Sequence, residues 1–167
     1  MTITSRVPET SVVGLRLDDH LPYRLSVAAS AVSGLIARAY EDRFGLTDPQ
    51  WRLICVLAED PALSQADLGA RTGMDTMTVS RAAQGLAKRR LIGRSEHRTG
   101  GGAHMLALTR EGAHLHSEIA PLALAYEAAL IAGLAPSEVA TLKRLLSRLQ
   151  GAALALGGQP APRATAD

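Results

Sequence analysis

The stretch that decides the fold is SQADLGARTGMDTMTVSRAAQGLAKRR, residues 64–90. Ser64 with Asp67 three residues on resembles a capping box, so a short helix should open there and run to about Arg71. Gly73 closes it, because a glycine just past a helix accepts the left-handed backbone of a cap. Asp75 then caps a second helix over about Thr76 to Arg89. On that helix Val79, Ala83 and Leu86 share one face at helical spacing, which marks the buried side. Thr76, Met77, Thr78, Ser80, Arg81 and Gln84 are left facing outward.

Working outward, the period changes after Arg90. Leu91 to Ser95 and Met105 to Leu108 read as two short strands, and Glu96 to His104, with Gly100, Gly101 and Gly102, reads as an exposed hairpin tip. Thr109 caps a helix to about Ala132, which Pro121 should kink or divide. Pro136 opens a last helix to about Leu156, with Leu142, Leu145, Leu146 and Leu149 on one face and Ala135 as a weak cap. Upstream, Leu25, Ala28, Val32, Leu35, Ile36 and Ala39 draw an apolar stripe along a helix from about Leu21 to Arg43, ended by Phe44-Gly45. Thr47 and Gln50 form the capping box of the next helix, Pro49 sits in its first turn, and Trp51, Ile54, Cys55 and Leu57 give it apolar surface as far as Glu59.

A chain of 167 residues with 47% hydrophobic content can bury a core, and with only 3% aromatics that core must be aliphatic and mostly helical. The net charge of +2 does not mark a nucleic-acid binder, but its distribution does. Between Thr76 and Arg98 lie Arg81, Lys88, Arg89, Arg90, Arg94 and Arg98 against Glu96 alone, a local net of +5. Such a face on a near-neutral protein suits phosphate, although a solvated arginine-rich surface would look the same. Cys55 is the single cysteine, so no disulfide closes within the chain, which fits a reducing cytoplasm. The start of the chain lacks the pattern of a signal peptide, and its most apolar stretch, Ile119 to Pro136, is interrupted by Glu127, so no membrane partner is expected.

Two short helices on a tight turn followed by a two-stranded hairpin is the order of a winged helix-turn-helix. The expected fold is mostly α with a small β-hairpin wing. Its second helix fits a major groove about 12 Å wide, where base edges are distinguishable. Short Thr76, Thr78 and Ser80 let the backbone approach, and Arg81 is long enough to reach a guanine edge or a phosphate. The expected DNA contacts are Ser64, Gln65, Thr76, Met77, Thr78, Ser80, Arg81, Gln84, Lys88, Arg94 and Arg98.

Taken in order, Gly45-Leu46-Thr47 with Gln50-Trp51-Arg52, then Leu63 to Leu68, Met74-Asp75, Thr78-Val79-Ser80-Arg81, Arg90-Leu91-Ile92 and Leu106 to Thr109 with Gly112 resemble the multiple-antibiotic-resistance regulator (MarR) family over about residues 17 to 150. The resemblance implies a homodimer whose first and last helices intertwine. It also implies two winged domains on an inverted-repeat operator in double-stranded DNA, and repression relieved by a small aromatic or anionic effector. On this reading residues 1–16 are a flexible arm, 17–45 a dimerisation helix, 46–109 the DNA-binding domain, 110–156 the C-terminal dimerisation helices and 157–167 a disordered tail. Half-sites would lie about 10 bp apart, one duplex turn.

The chain departs from the family in three places. Gly100 and Gly102 stand where the wing tip carries an acid and an arginine, leaving Arg98 as the candidate substitute. Thr76 stands where a lysine is usual. The stretch Leu17 to Leu25 is similar to the hydroperoxide-sensing branch, but Pro22 occupies the position of its reactive cysteine, and Cys55 on an apolar face should be inert. An effector pocket under the first two helices would draw on Tyr23, Arg24, Trp51 and Arg52, with arginine holding an anion and rings covering an apolar body. The five histidines lack metal-ligand spacing, and no nucleophile set or phosphate loop is evident, so no metal, no cofactor and no catalysis are expected. The alternative is a dimeric protein-interaction or small-molecule-binding module with a degenerate winged domain.

Overall fold

The computed structural model of the chain describes residues 15–60, 62–95 and 105–157. A short 3-10 turn at Leu17–Asp19 leads into α1 (Leu21–Phe44), α2 (Asp48–Glu59), α3 (Gln65–Thr72) and α4 (Thr76–Lys88). Two strands follow, β1 (Ile92–Arg94) and β2 (Leu106–Leu108), then α5 (Arg110–Ile131) and α6 (Pro136–Gly157). The mostly helical fold with a small hairpin is thus the one the sequence implies.

The helix ends form by the expected chemistry. Gln50 Oε1 accepts the Thr47 N–H at 3.1 Å. The Ser64 hydroxyl accepts from the Asp67 N–H at 3.1 Å while Asp67 accepts from the Ser64 N–H at 3.1 Å, a reciprocal box. Asp75 Oδ1 accepts the Thr78 N–H at 2.9 Å. Gly45 and Gly73 both take positive φ at helix ends, 61° and 69°. Ala135 is a better start for α6 than its side chain suggests, because Glu138 Oε2 reaches back to its N–H at 2.7 Å. Pro121 does not divide α5, which runs unbroken through it.

The hairpin is antiparallel with Ile92 opposite Leu108 and Arg94 opposite Leu106. An additional bridge joins Leu63 to Leu106, with both backbone bonds made at 3.0 and 2.8 Å. This bridge ties the segment before α3 to the wing, and nothing in the alternation of the sequence announces it.

The chain divides into two compact units, the first ending at Ile119 and the second starting at Ala120. The first holds the core. Tyr40, Leu46, Leu53, Ile54, Leu57, Leu68, Val79, Leu86 and Ile119 are almost wholly shielded. Tyr40 meets Trp51 edge-on with centroids 5.1 Å apart. Helix α4 lies at the centre of this unit, packed against α2, α3 and β1. In the second unit α6 turns away from the end of α5 by 106°, and a Lys143–Glu127 ion pair at 3.0 Å joins the two. Among its described residues none is buried. Leu124, Leu130, Leu142, Leu145, Leu146 and Leu149 all stand exposed. Helix α1 likewise leaves Leu21, Leu25, Val32 and Leu35 exposed. No single helix among the described residues is long and apolar enough to cross a membrane.

Candidate nucleic-acid interface and ligand cleft

The outward face of α4 follows from its inward one. Val79, Ala82, Ala83 and Leu86 are buried, which leaves Thr76, Met77, Arg81, Gln84 and Lys88 exposed and Thr78 and Ser80 half-exposed. Met77 is 62% exposed, an apolar tip of the kind that meets a thymine methyl. Arg81 has no ion-pair partner among the described residues. Gln84 donates to the Ser80 hydroxyl at 3.3 Å, so the two present a joined polar edge. Thr78 donates its hydroxyl to Asp75 at 2.7 Å, which keeps its lone pairs for an incoming donor. Arg94 is exposed on the wing, and Arg98 lies outside the described residues.

Ser64 takes up the capping role read from the sequence, and that role occupies a side chain also expected to contact DNA. Its hydroxyl donates to Asp67 at 2.6 Å and accepts from the Asp67 N–H, so only Gln65 presents a free side chain at the start of α3. The hydrogen bonds to Asp67 and Asp75 hold both carboxyls below the usual range. A depressed carboxylate stabilises the fold above its unfolded pKa, and that contribution disappears as pH falls through the folded value. Thermal melts between pH 7 and pH 3 should therefore show the loss on the acid side, smaller in Asp75→Asn.

The two arginines that end α4 behave differently. Arg89 reaches back along the surface to α1 and donates to the carbonyls of Gly45 at 2.7 Å and Phe44 at 2.8 Å, capping the C-terminus of α1. It therefore does not belong to the open basic face on which the charge count placed it. Arg90 has φ 58°, the only non-glycine positive φ among the described residues. Its N–H donates to the Ala87 carbonyl at 2.9 Å and that of Leu91 to the Leu86 carbonyl at 3.0 Å, the paired hydrogen bonds of a helix stop that favours glycine. Left-handed backbone costs a side-chain-bearing residue on the order of 1–2 kcal/mol. Arg90→Gly is expected to raise stability by about 1 kcal/mol in urea unfolding; an unchanged midpoint would contradict the strain.

A cleft of about 360 Å³ opens between α1, α2 and α3. Val32, Ile36, Trp51 and Val56 form its apolar wall; Asp48, Arg52 and Arg71 are its charged lining. Of the four residues expected in an effector pocket, the structure brings Trp51 and Arg52 here but not Tyr23 or Arg24. Those two lie exposed on α1, eight or more residues before Val32, about 12 Å along the helix at 1.5 Å per residue. Trp51 is held by its indole N–H, which donates to Asp48 at 3.1 Å. Arg52 pairs with the other oxygen of Asp48 at 3.0 Å. The i, i+4 spacing of Asp48 and Arg52 was visible in the sequence as a helix pair. Arg71 was not, because its partners Glu59 and Asp60 sit across a turn.

Cys55 also lines the cleft. Burial, with a smaller push from Glu59, raises its thiol from 9.0 to about 11. The fold thus favours the protonated thiol, so stability should fall as pH climbs from about 9 toward about 11, where the unfolded chain loses its proton first. Iodoacetamide at pH 8 should alkylate Cys55 far more slowly in native than in urea-unfolded protein; equal rates would contradict this environment. Among the described residues no three metal-ligating side chains converge; His97 and His104 lie outside them.

A helix-turn-helix with an exposed polar and basic second helix, backed by a paired hairpin, defines the winged helix-turn-helix class of DNA-binding proteins. The sequence model of the MarR family matches residues 44–101. A probable transcriptional regulator from Pseudomonas aeruginosa is 31% identical, covers 80% of this chain and 99% of its own, and superposes with a TM-score of 0.71. A MarR/EmrR family transcriptional regulator from Acinetobacter sp. ADP1 shares the fold at a TM-score of 0.78 and 24% identity, over 83% of this chain and 98% of that one. Bordetella bronchiseptica BpsR, whose DNA binding is regulated by 6-hydroxynicotinic acid, matches at 25% identity and a TM-score of 0.71, over 83% and 98% of the two chains. No curated protein matches significantly. The chain belongs to the MarR family of transcriptional regulators, which are DNA-binding proteins and not enzymes.

Proposed function

We propose that the chain is a homodimeric repressor that reads an inverted-repeat operator with α4 and releases it when a small aromatic effector enters the α1–α2–α3 cleft. The observation that carries this reading is the outward face of α4, where Thr76, Met77, Ser80, Arg81 and Gln84 stand clear of the packed face. The proposed base contacts are Met77, Thr78, Ser80, Arg81 and Gln84. Gln65, Thr76, Lys88 and Arg94 are proposed to meet the backbone, with Arg98 as a further contact.

The exposed leucines of α1 and α6 support dimerisation. A monomer that leaves eight leucine and valine side chains open along two helices, Leu21, Leu25, Val32, Leu35, Leu142, Leu145, Leu146 and Leu149, leaves much apolar surface in water. We assign α1, α5 and α6 to the dimer and residues 46–109 to DNA. Work on genomic DNA would place the protein in the cytoplasm. Regulation of BpsR by a small ring compound supports a ligand-responsive role for the same fold.

The test is selection of genomic fragments by the purified protein. The expected result is an enriched inverted repeat with half-sites about 10 bp apart, occupied by two chains. Selection of no sequence, together with DNA-independent capture of a protein partner, would move the interaction-module reading ahead.

A further inference from the structure

The arginines of the α1–α2–α3 cleft suggest an anionic ligand, but their pairing argues the opposite. Both are already answered. Arg52 lies 3.0 Å from Asp48, and Arg71 binds Glu59 at 2.5 Å and also Asp60. Asp48 lies in the lining and Glu59 and Asp60 flank it on the outside, so three carboxylates answer two guanidinium groups and the cluster carries a net charge of −1. A ligand carboxylate would compete with these three for guanidinium groups that already have partners. It would have to draw a guanidinium away from a partner and leave that partner unpaired.

The remaining lining is suited to an aromatic body. Val32, Ile36 and Val56 are apolar. Trp51 is held in place by its bond to Asp48 and by its edge-on packing against buried Tyr40. The volume, about 360 Å³, falls at the small end of ligand pockets.

We propose that this cleft takes a small aromatic molecule without negative charge, with its ring beside Trp51 and a cationic or amide end toward Asp48. A positive end gains from the cluster charge and from the indole face, where a cation is attracted by the ring quadrupole. The inference rests on the ligand-responsive reading above and narrows the class of its effector.

Trp51 is the only tryptophan in the chain, so its fluorescence reports on this cleft alone. Three probes share one ring and one linker: 4-phenylbutylamine, 4-phenylbutanamide and 4-phenylbutanoate. The amine and amide should change Trp51 emission saturably, with the carboxylate at least about tenfold weaker than the amide. Asp48→Asn removes one carboxylate and keeps an acceptor for the indole, so it should strengthen the carboxylate probe and weaken the amine. Arg52→Gln should shift both the other way, and it serves if Asp48→Asn melts early. A carboxylate probe that binds as tightly as the amide would overturn the charge assignment. If no probe binds by fluorescence or calorimetry, the cleft is not an effector site, and the charge assignment falls with it. DNA binding by α4 would be untouched by either result.

Discussion

Gly112→Ala should lower stability by about 3 kcal/mol, among the larger costs of adding one methyl group. The reason is local. A Cβ at Gly112 would lie about 2.0 Å from the Leu91 carbonyl oxygen and 3.2 Å from Leu108. The obstructing atom is backbone, so it cannot swing aside as a side chain would. Leu91 is moreover fixed from several sides: its N–H bonds to Leu86 at 3.0 Å, and its carbonyl accepts the Thr109 N–H at 3.0 Å. The Thr109 hydroxyl bonds to the Arg90 and Leu91 carbonyls at 2.7 and 3.2 Å and accepts the Gly112 N–H at 3.0 Å. Any shift that admits the methyl group breaks the junction where α4, the wing and α5 meet. A melting temperature lower by about 10 °C is expected. A variant that melts with the wild type would mean that α5 does not approach the wing so closely.

Arg81→Ala should weaken operator binding by about 1–3 kcal/mol, roughly 5- to 150-fold, and relax the sequence preference at one position of each half-site. Its side chain is exposed and lacks an acidic neighbour among the described residues, so removing it should leave the melting temperature within about 2 °C. Lys88→Ala is the contrast. Removing a cation proposed to meet phosphate at the far end of α4 should weaken every sequence alike and reduce the salt slope by about 0.9. An Arg81→Ala protein with the Lys88→Ala pattern would reassign Arg81 from base to backbone.

The elements were legible in the sequence wherever local chemistry sets them. Thr47, Ser64 and Asp75 begin helices because their spacing to Gln50, Asp67 and Thr78 satisfies free backbone donors. The α4 face was legible because burial of Val79, Ala83 and Leu86 leaves few choices for the rest of the turn. What stayed hidden depends on distant partners. The Leu63–Leu106 bridge joins positions 43 residues apart, and Arg89 reaches back 44 residues to Gly45. Charge counting placed Arg89 on the DNA face because composition carries no direction. The cleft divides in the same way: Asp48 is legible as the partner of Arg52 from its i, i+4 spacing, but only packing shows Glu59 and Asp60 answering Arg71. The left-handed slot at Arg90 was legible in principle, since a helix ending before Leu91-Ile92 needs a reversal there.

The most direct test of α4 as a reader of sequence is fluorescence anisotropy on the selected operator and on a scrambled duplex of equal length, across a salt series. The account predicts binding to both that falls steeply with salt, at a slope of roughly −0.9 per neutralised phosphate. It further predicts an operator advantage of at least about 10³ that Arg81→Ala reduces. Equal affinity for the two duplexes, unchanged in Arg81→Ala, would contradict it.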